Sequence, residues 1–132
     1  MSFFERIIAF FVVAVAALAT LFSGGVNDQE YDLVAKFESQ PSSGYAWVVD
    51  ISDEEKATLE NQTFLSGFDS IIDGIGLDCF CINAKENGAF TLTFSYIYKD
   101  NEDKVKDEKV YYCVSYNGEI EVLNPDEFVV VS

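Results

Sequence analysis

The stretch FCINAKENGAFTLTFSY, residues 80–96, decides the fold. Phe80, Ile82 and Ala84 alternate with more polar residues, Asn87-Gly88 marks a turn, and Leu92, Phe94 and Tyr96 then alternate with Thr91, Thr93 and Ser95. A period of two places each apolar set on one face of a strand, and the short polar break gives two strands joined by a short connection. Working outward, Val110, Tyr112, Val114 and Tyr116 alternate again, Asn117-Gly118 is a strong hairpin signal leading into Ile120 and Val122, and Phe128 to Val131 adds an edge strand. Upstream, Leu33, Ala35 and Phe37 form one strand and Tyr45 to Ile51, which holds Trp47, forms the next. Seven to eight short strands with little helix predict an all-β antiparallel sandwich.

The intervening segments read less clearly. Ser52-Asp53-Glu54-Glu55 has the form of a capping box, which predicts a short helical turn. Phe64 to Ile72 reads as a weak strand leading into a glycine-containing loop, and Lys99 to Lys109, charged and aperiodic, reads as a long loop.

Residues 1–26 form a separate unit. Ile7 to Phe22 is an apolar run of sixteen residues, preceded by Arg6 and followed by Ser23-Gly24-Gly25 and acidic residues. As a helix it spans roughly 24 Å, and Ala17-Leu18-Ala19 supplies a small-residue cleavage pattern. The segment reads as a signal peptide or an uncleaved signal anchor. Either reading places residues 27–132 outside the cytoplasmic membrane, secreted or anchored, with membrane contact only through this segment.

Composition excludes several function classes. With 49% hydrophobic and 15% aromatic residues in 132, the chain has enough apolar surface for one core. The net charge is −15, and the basic residues apart from Arg6 are scattered lysines, which argues against a nucleic-acid partner. Histidine is absent, which removes Ser-His-Asp and Cys-His nucleophilic sites and the common zinc motifs. No cofactor or metal site is expected, and the chain does not read as an enzyme. Asp100-Asn101-Glu102-Asp103 lacks the spacing and central glycine of a calcium loop. Cys79, Cys81 and Cys113 allow one bridge at most. Cys79 and Cys81 share one strand face and are poorly placed to bond each other, so either could meet Cys113, or all three stay thiols.

Three features fall in order along this pattern: Pro41-Ser42-Ser43-Gly44-Tyr45 with Trp47 following, Gly74-Ile75-Gly76, and the strand series Phe80 to Tyr96. In order and spacing they resemble the chagasin family of papain-like cysteine peptidase inhibitors. The first is similar to that family's Asn-Pro-Thr-Thr-Gly-Tyr/Phe-x-Trp loop, with Gln40 in place of asparagine. The second is similar to its Gly-x-Gly-Gly loop, with Leu77 in place of the last glycine, and Tyr98-Lys99-Asp100 occupies the place of an Arg-Pro-Trp motif.

The resemblance implies an immunoglobulin-like sandwich whose loops at one end plug the peptidase cleft reversibly and without covalent chemistry, acting as a monomer. Its contact residues would be Pro41, Ser42, Ser43, Gly44, Gly74, Ile75, Gly76, Leu77, Tyr98, Lys99 and Asp100. The alternative is a non-inhibitory extracellular binding or adhesion module on the same scaffold.

Overall fold

The computed structural model describes residues 30–66 and 75–131. Eight strands form two four-stranded sheets packed as a sandwich: β1 (Leu33–Ser39), β2 (Tyr45–Ile51), β3 (Ala57–Ser66), β4 (Gly76–Ala84), β5 (Gly88–Tyr98), β6 (Asn101–Tyr116), β7 (Glu119–Val122) and β8 (Val129–Val131). One sheet has the order β3-β4-β1-β8 and the other β2-β5-β6-β7, and every pairing is antiparallel.

Alternation sets which face is inside. Phe80, Ile82, Leu92 and Phe94 are fully buried in one inner core with Leu33, Ala35, Phe37 and Trp47, and Ala84 and Tyr96 pack on its margin. The register expected from residues 80–96 is therefore the one observed. Phe37 is the centre of the core. Its ring lies 4.7 Å from Trp47, 4.7 Å from Phe94, 5.6 Å from Phe128 and 6.3 Å from Phe80, the separations at which aromatic pairs attract beyond their burial.

The β6–β7 turn is the expected hairpin, whereas residues 85–87 carry the chain from β4 in one sheet to β5 in the other. Asn117 and Gly118 both take positive φ, 51° and 78°, which is the geometry that lets a two-residue hairpin follow the twist of β6 and β7. Lys99 and Asp100 join β5 to β6 without positive φ, and register shifts at Tyr96/Ile97 and Ile97/Tyr98 take up the mismatch between that turn and the ladder.

On β6 the alternating set Val110, Tyr112, Val114 and Tyr116 faces outward, and Tyr111 and Cys113 between them supply the core. Three segments also differ from the sequence reading. No helix follows Ser52: its Oγ accepts the Thr91 N–H at 2.8 Å, Asp53 Oδ1 accepts the Glu55 N–H at 3.0 Å, and the Lys56 N–H closes a turn on the Asp53 carbonyl. The cap side chains thus hold a crossing between sheets. The strand expected from Phe64 lies earlier, at Ala57–Ser66. It is an edge strand with exposed Glu60, Asn61 and Gln62, and a register shift between Leu59 and Asn61 breaks the alternation. Residues 67–72 of the expected strand lie outside the described residues.

The third correction is Lys99 to Lys109, which is not a long loop but, from Asn101, the first half of β6. Its far side is open, because β7 pairs only with Cys113 to Tyr116. Charges at nearly every position keep that open edge from pairing with another chain, which is why the pattern looks aperiodic.

All three cysteines are buried thiols. Cys113 belongs to the inner core, whereas Cys79 and Cys81 lie in a second cluster on the other face of β4. A whole sheet separates the two sets, so of the two alternatives left open by the sequence, a bridge to Cys113 is ruled out and three thiols remain. The signal or anchor expected at 1–26 lies outside the described residues.

Burial also makes two groups hard to ionise. Burial raises the Cys113 thiol from about 9 to about 12. For Tyr111, burial first, then its hydrogen bond to Asp126 and the nearby negative charges of Asp126 and Asp107, push the phenol far above its usual 10. An unfolded chain releases both protons at lower pH than the folded chain, so the contribution is fully present below pH 9 and shrinks as pH rises. Stability is expected to fall by about 1.4 kcal/mol per pH unit from Cys113 between pH 9 and 12, joined by a similar slope from Tyr111 above pH 10. Denaturant midpoints from pH 8 to 11 measure this, and Cys113→Ala should make the decline shallower. A flat profile would contradict it.

Candidate functional site

Strand register places three chain connections at one end of the sandwich. Ser39, the last residue of β1, pairs with Gly76, the first of β4, and Gly76 also pairs with Ser66, the last of β3. Across the other sheet, Tyr45 pairs with Tyr98, so the 40–44 connection lies beside the β5–β6 turn. The Lys99 N–H donates to the Gly44 carbonyl at 2.9 Å and ties the two together. The strand ends flanking residues 67–74 are therefore at the same end as Pro41–Ser43 and Lys99-Asp100.

The 40–44 connection is held by its own polar groups. Pro41 to Ser43 form one 3-10 turn, with the Ser43 N–H donating to the Gln40 carbonyl and the Gly44 N–H to the Pro41 carbonyl. Ser43 Oγ donates to the Gln40 carbonyl at 2.6 Å and accepts the Tyr45 N–H at 3.3 Å. The Gln40 N–H is taken by the Tyr96 hydroxyl at 3.2 Å. Gly44 ends the turn at φ 87°, a conformation glycine adopts without penalty. A Cβ there would also lie 2.7 Å from Tyr98 Cε1. Ser42 and Ser43 remain exposed, Pro41 partly so.

Beneath the turn, aromatic rings run from the core to this end. Phe37 stacks on Trp47, Trp47 on Tyr96 at 5.1 Å, Tyr96 meets Tyr45 at 5.4 Å, and Tyr45 meets Tyr98 edge-on at 5.3 Å. Trp47 is fixed at both ends: Nε1 donates to the Glu38 carbonyl at 2.9 Å, and its backbone N–H donates across the sandwich to Asp78 Oδ2 at 3.1 Å. The sequence reading has Tyr98 among the contact residues, and the structure gives it a supporting position as well, half-buried against Gly44 and Tyr45. Lys104 Nζ lies 5.3 Å above the Tyr98 ring and Lys106 Nζ 5.3 Å above Tyr45. Such cation–π contacts hold β6 against the site with about 0.5–1 kcal/mol each at exposed positions. Sequence reasoning missed both lysines because it assigned their segment to a loop. The signal was Lys104-Val105-Lys106 beside a strand rich in tyrosine.

The second expected motif divides. Gly74 lies outside the described residues, Ile75 is half-buried, and Gly76 and Leu77 are buried in β4. At Gly76 a Cβ would run into the Leu65 carbonyl oxygen and come within 2.6 Å of Phe64 Cζ. Its missing side chain therefore lets β3 lie close to β4. Lys99 and Asp100 are fully at the surface. Among the described residues no cluster of three or more Cys, Asp or Glu is placed to hold a metal.

Among the described residues, this end offers short, braced backbone with small side chains and an aromatic base. Residues 30–114 match the model of the chagasin family of peptidase inhibitors, known as I42, over more than half of the chain. The crystal structure of a cysteine protease inhibitor from Entamoeba histolytica is similar in fold, with a TM-score of 0.58 at 19% identity, covering 65% of this chain and 80% of that one. No curated protein sequence matches the chain.

Proposed function

The chain belongs to the chagasin family of peptidase inhibitors, and from that premise we propose that its sandwich, immunoglobulin-like in kind, is a reversible, non-covalent inhibitor of papain-like cysteine peptidases. The observation that carries this reading is the convergence of the 40–44 turn, the β3–β4 strand ends and the β5–β6 turn at one end, tied by the Lys99–Gly44 hydrogen bond.

The wedge works by pre-organisation. Pro41 has a fixed φ, Ser43 closes the turn on Gln40, and Gly44 rests on Tyr98, so little conformational freedom remains to be lost on docking. Pro41, Ser42, Ser43 and Gly44 form one edge with Lys99 and Asp100 beside them, and Gly74 and Ile75 are the part that approaches the catalytic thiol. A chain held rigidly across a cleft in a conformation unlike a substrate's is a poor substrate, so the inhibitor leaves intact. The protein acts outside the cytoplasmic membrane as a monomer, exported by residues 1–26. A reporter fused after Gly25 should therefore be recovered outside the membrane.

Residues 27–132 titrated against papain and cathepsin-like enzymes should inhibit them, with activity recovered on dilution and the inhibitor uncut on a gel. No inhibition at micromolar concentration would sink the proposal in favour of a non-inhibitory binding module.

A further inference from the structure

The two outer faces of the sandwich differ. On β5 the outward residues Thr91, Thr93 and Ser95 are partly exposed, and on β6 Tyr112 and Tyr116 are each 54% exposed, as expected of a sheet face turned to solvent. On the β3-β4-β1-β8 sheet the outward residues Val34, Lys36, Leu77, Cys79 and Cys81 are at most 2% exposed, and Leu65 only 9%, so the face is apolar apart from the Lys36 side chain. Val130, beside Val34 in the ladder, shares that face and is 6% exposed. A flat sheet face does not bury itself. Yet among the described residues the cluster draws only on that sheet and on Tyr31, which leads into it.

We infer that the apolar N-terminal segment, Ile7 to Phe22, docks along this face. Three observations select it as the occupant. Tyr31 packs on the cluster, so the chain preceding it arrives at the Val34–Cys81 edge of the face. A sixteen-residue helix is roughly 24 Å long, and the face from Cys81 to Leu77 runs about 13 Å, so the segment covers it with length to spare. The other internal stretch outside the described residues, 67–74, is anchored beside Ser66 and Gly76 at the far end of the face, whereas the chain preceding Tyr31 enters at its Cys81 end. The segment thus has two competing environments, a bilayer and its own domain. Cleavage or membrane insertion uncovers an apolar strip carrying two thiols.

Site-resolved maleimide labelling tests this, with Cys113 as the internal control because it sits in the inner core. The full chain, monodisperse in detergent-free buffer, is compared with residues 27–132, which contain both sheets and the whole inner core. In the full chain all three thiols should resist. In the shortened chain Cys79 and Cys81 should react roughly tenfold or more faster, with Cys113 unchanged. Equal protection in both would overturn the inference: a shortened monomer would then have its face covered by residues 67–74, and a shortened dimer by a second copy. Fast labelling of Cys79 and Cys81 in the full chain would overturn it too. Should Cys113 also become reactive on shortening, the full chain carrying Val15→Asp and Leu18→Asp decides. Selective exposure of Cys79 and Cys81 supports the docking, and continued protection ends it.

Discussion

Gly76→Val should destabilise the sandwich while Gly44→Val should leave it folded and remove most of its inhibition. At Gly76 the obstacle is backbone: an added side chain meets the Leu65 carbonyl oxygen and comes 3.0 Å from Ser66 Cα, in the middle of the β3-β4-β1 ladder. Backbone cannot rotate aside as a side chain does. Overpacking at such a site costs about 1–3 kcal/mol or more, a large share of a small domain's stability. At Gly44 the obstacles are φ 87° and the Tyr98 ring, both within the exposed end of the molecule. The turn should reshape locally, at about 1–3 kcal/mol, which weakens inhibition roughly tenfold to a hundredfold. Urea midpoints and inhibition constants for both variants, with Asp100→Ala as a near-neutral surface change, separate the two roles. A Gly44→Val variant that inhibits as well as the parent would remove the 40–44 turn from the wedge. An unchanged midpoint for Gly76→Val would refute the packing argument.

The largest stability effect is expected from Phe37→Ala. Phe37 is fully buried and its ring touches those of Trp47, Phe94, Phe128 and Phe80, which come from both sheets and from the segment before β8. Truncation leaves a cavity that strands on both sides cannot close together. The expected loss is about 3–5 kcal/mol, or a fall in melting temperature on the order of 20 °C. Because Trp47 stacks on Phe37 and carries the ring series to Tyr98, inhibition by the fraction still folded should weaken as well. A thermal melt followed by Trp47 fluorescence, beside an inhibition titration well below the transition, measures both. A shift of only a few degrees would mean the two sheets are not clamped through this ring.

What was legible in the sequence follows physical lines. Phe80 to Tyr96 could be read because the inward residues of β4 and β5 keep a period of two and β5 has a polar outer face, and Asn117-Gly118 because only a few residue types accept two positive φ angles in succession. β3 was missed because Glu60, Asn61 and Gln62 sit on an edge at a bulge, where alternation stops reporting burial. The first half of β6 was missed for a related reason, since an open edge selects charge over pattern. At the site, Pro41 to Gly44 was legible as a motif, whereas the β5–β6 turn was read as part of a long loop. The lysines over Tyr45 and Tyr98 were not legible, because their role arises only when β6 is brought beside β5. Gly76 was identified as important, but the reason, a neighbouring strand's carbonyl, is a tertiary fact.

The position of β1 has a consequence for when the domain is able to fold. Leu33 pairs with Ile82 on one side and Val131 on the other, contacts spanning 49 (82 − 33) and 98 (131 − 33) residues. Closing loops of that length comes before any reward from the sheet, which places the domain among the high-contact-order folds that form in milliseconds to seconds rather than microseconds. During synthesis at about 5–20 residues per second, the β1 segment waits several seconds for β4, and several more for β8. Until then the nascent chain has local hairpins but no sandwich, and it stays extended enough to be threaded through a narrow translocation channel before it locks.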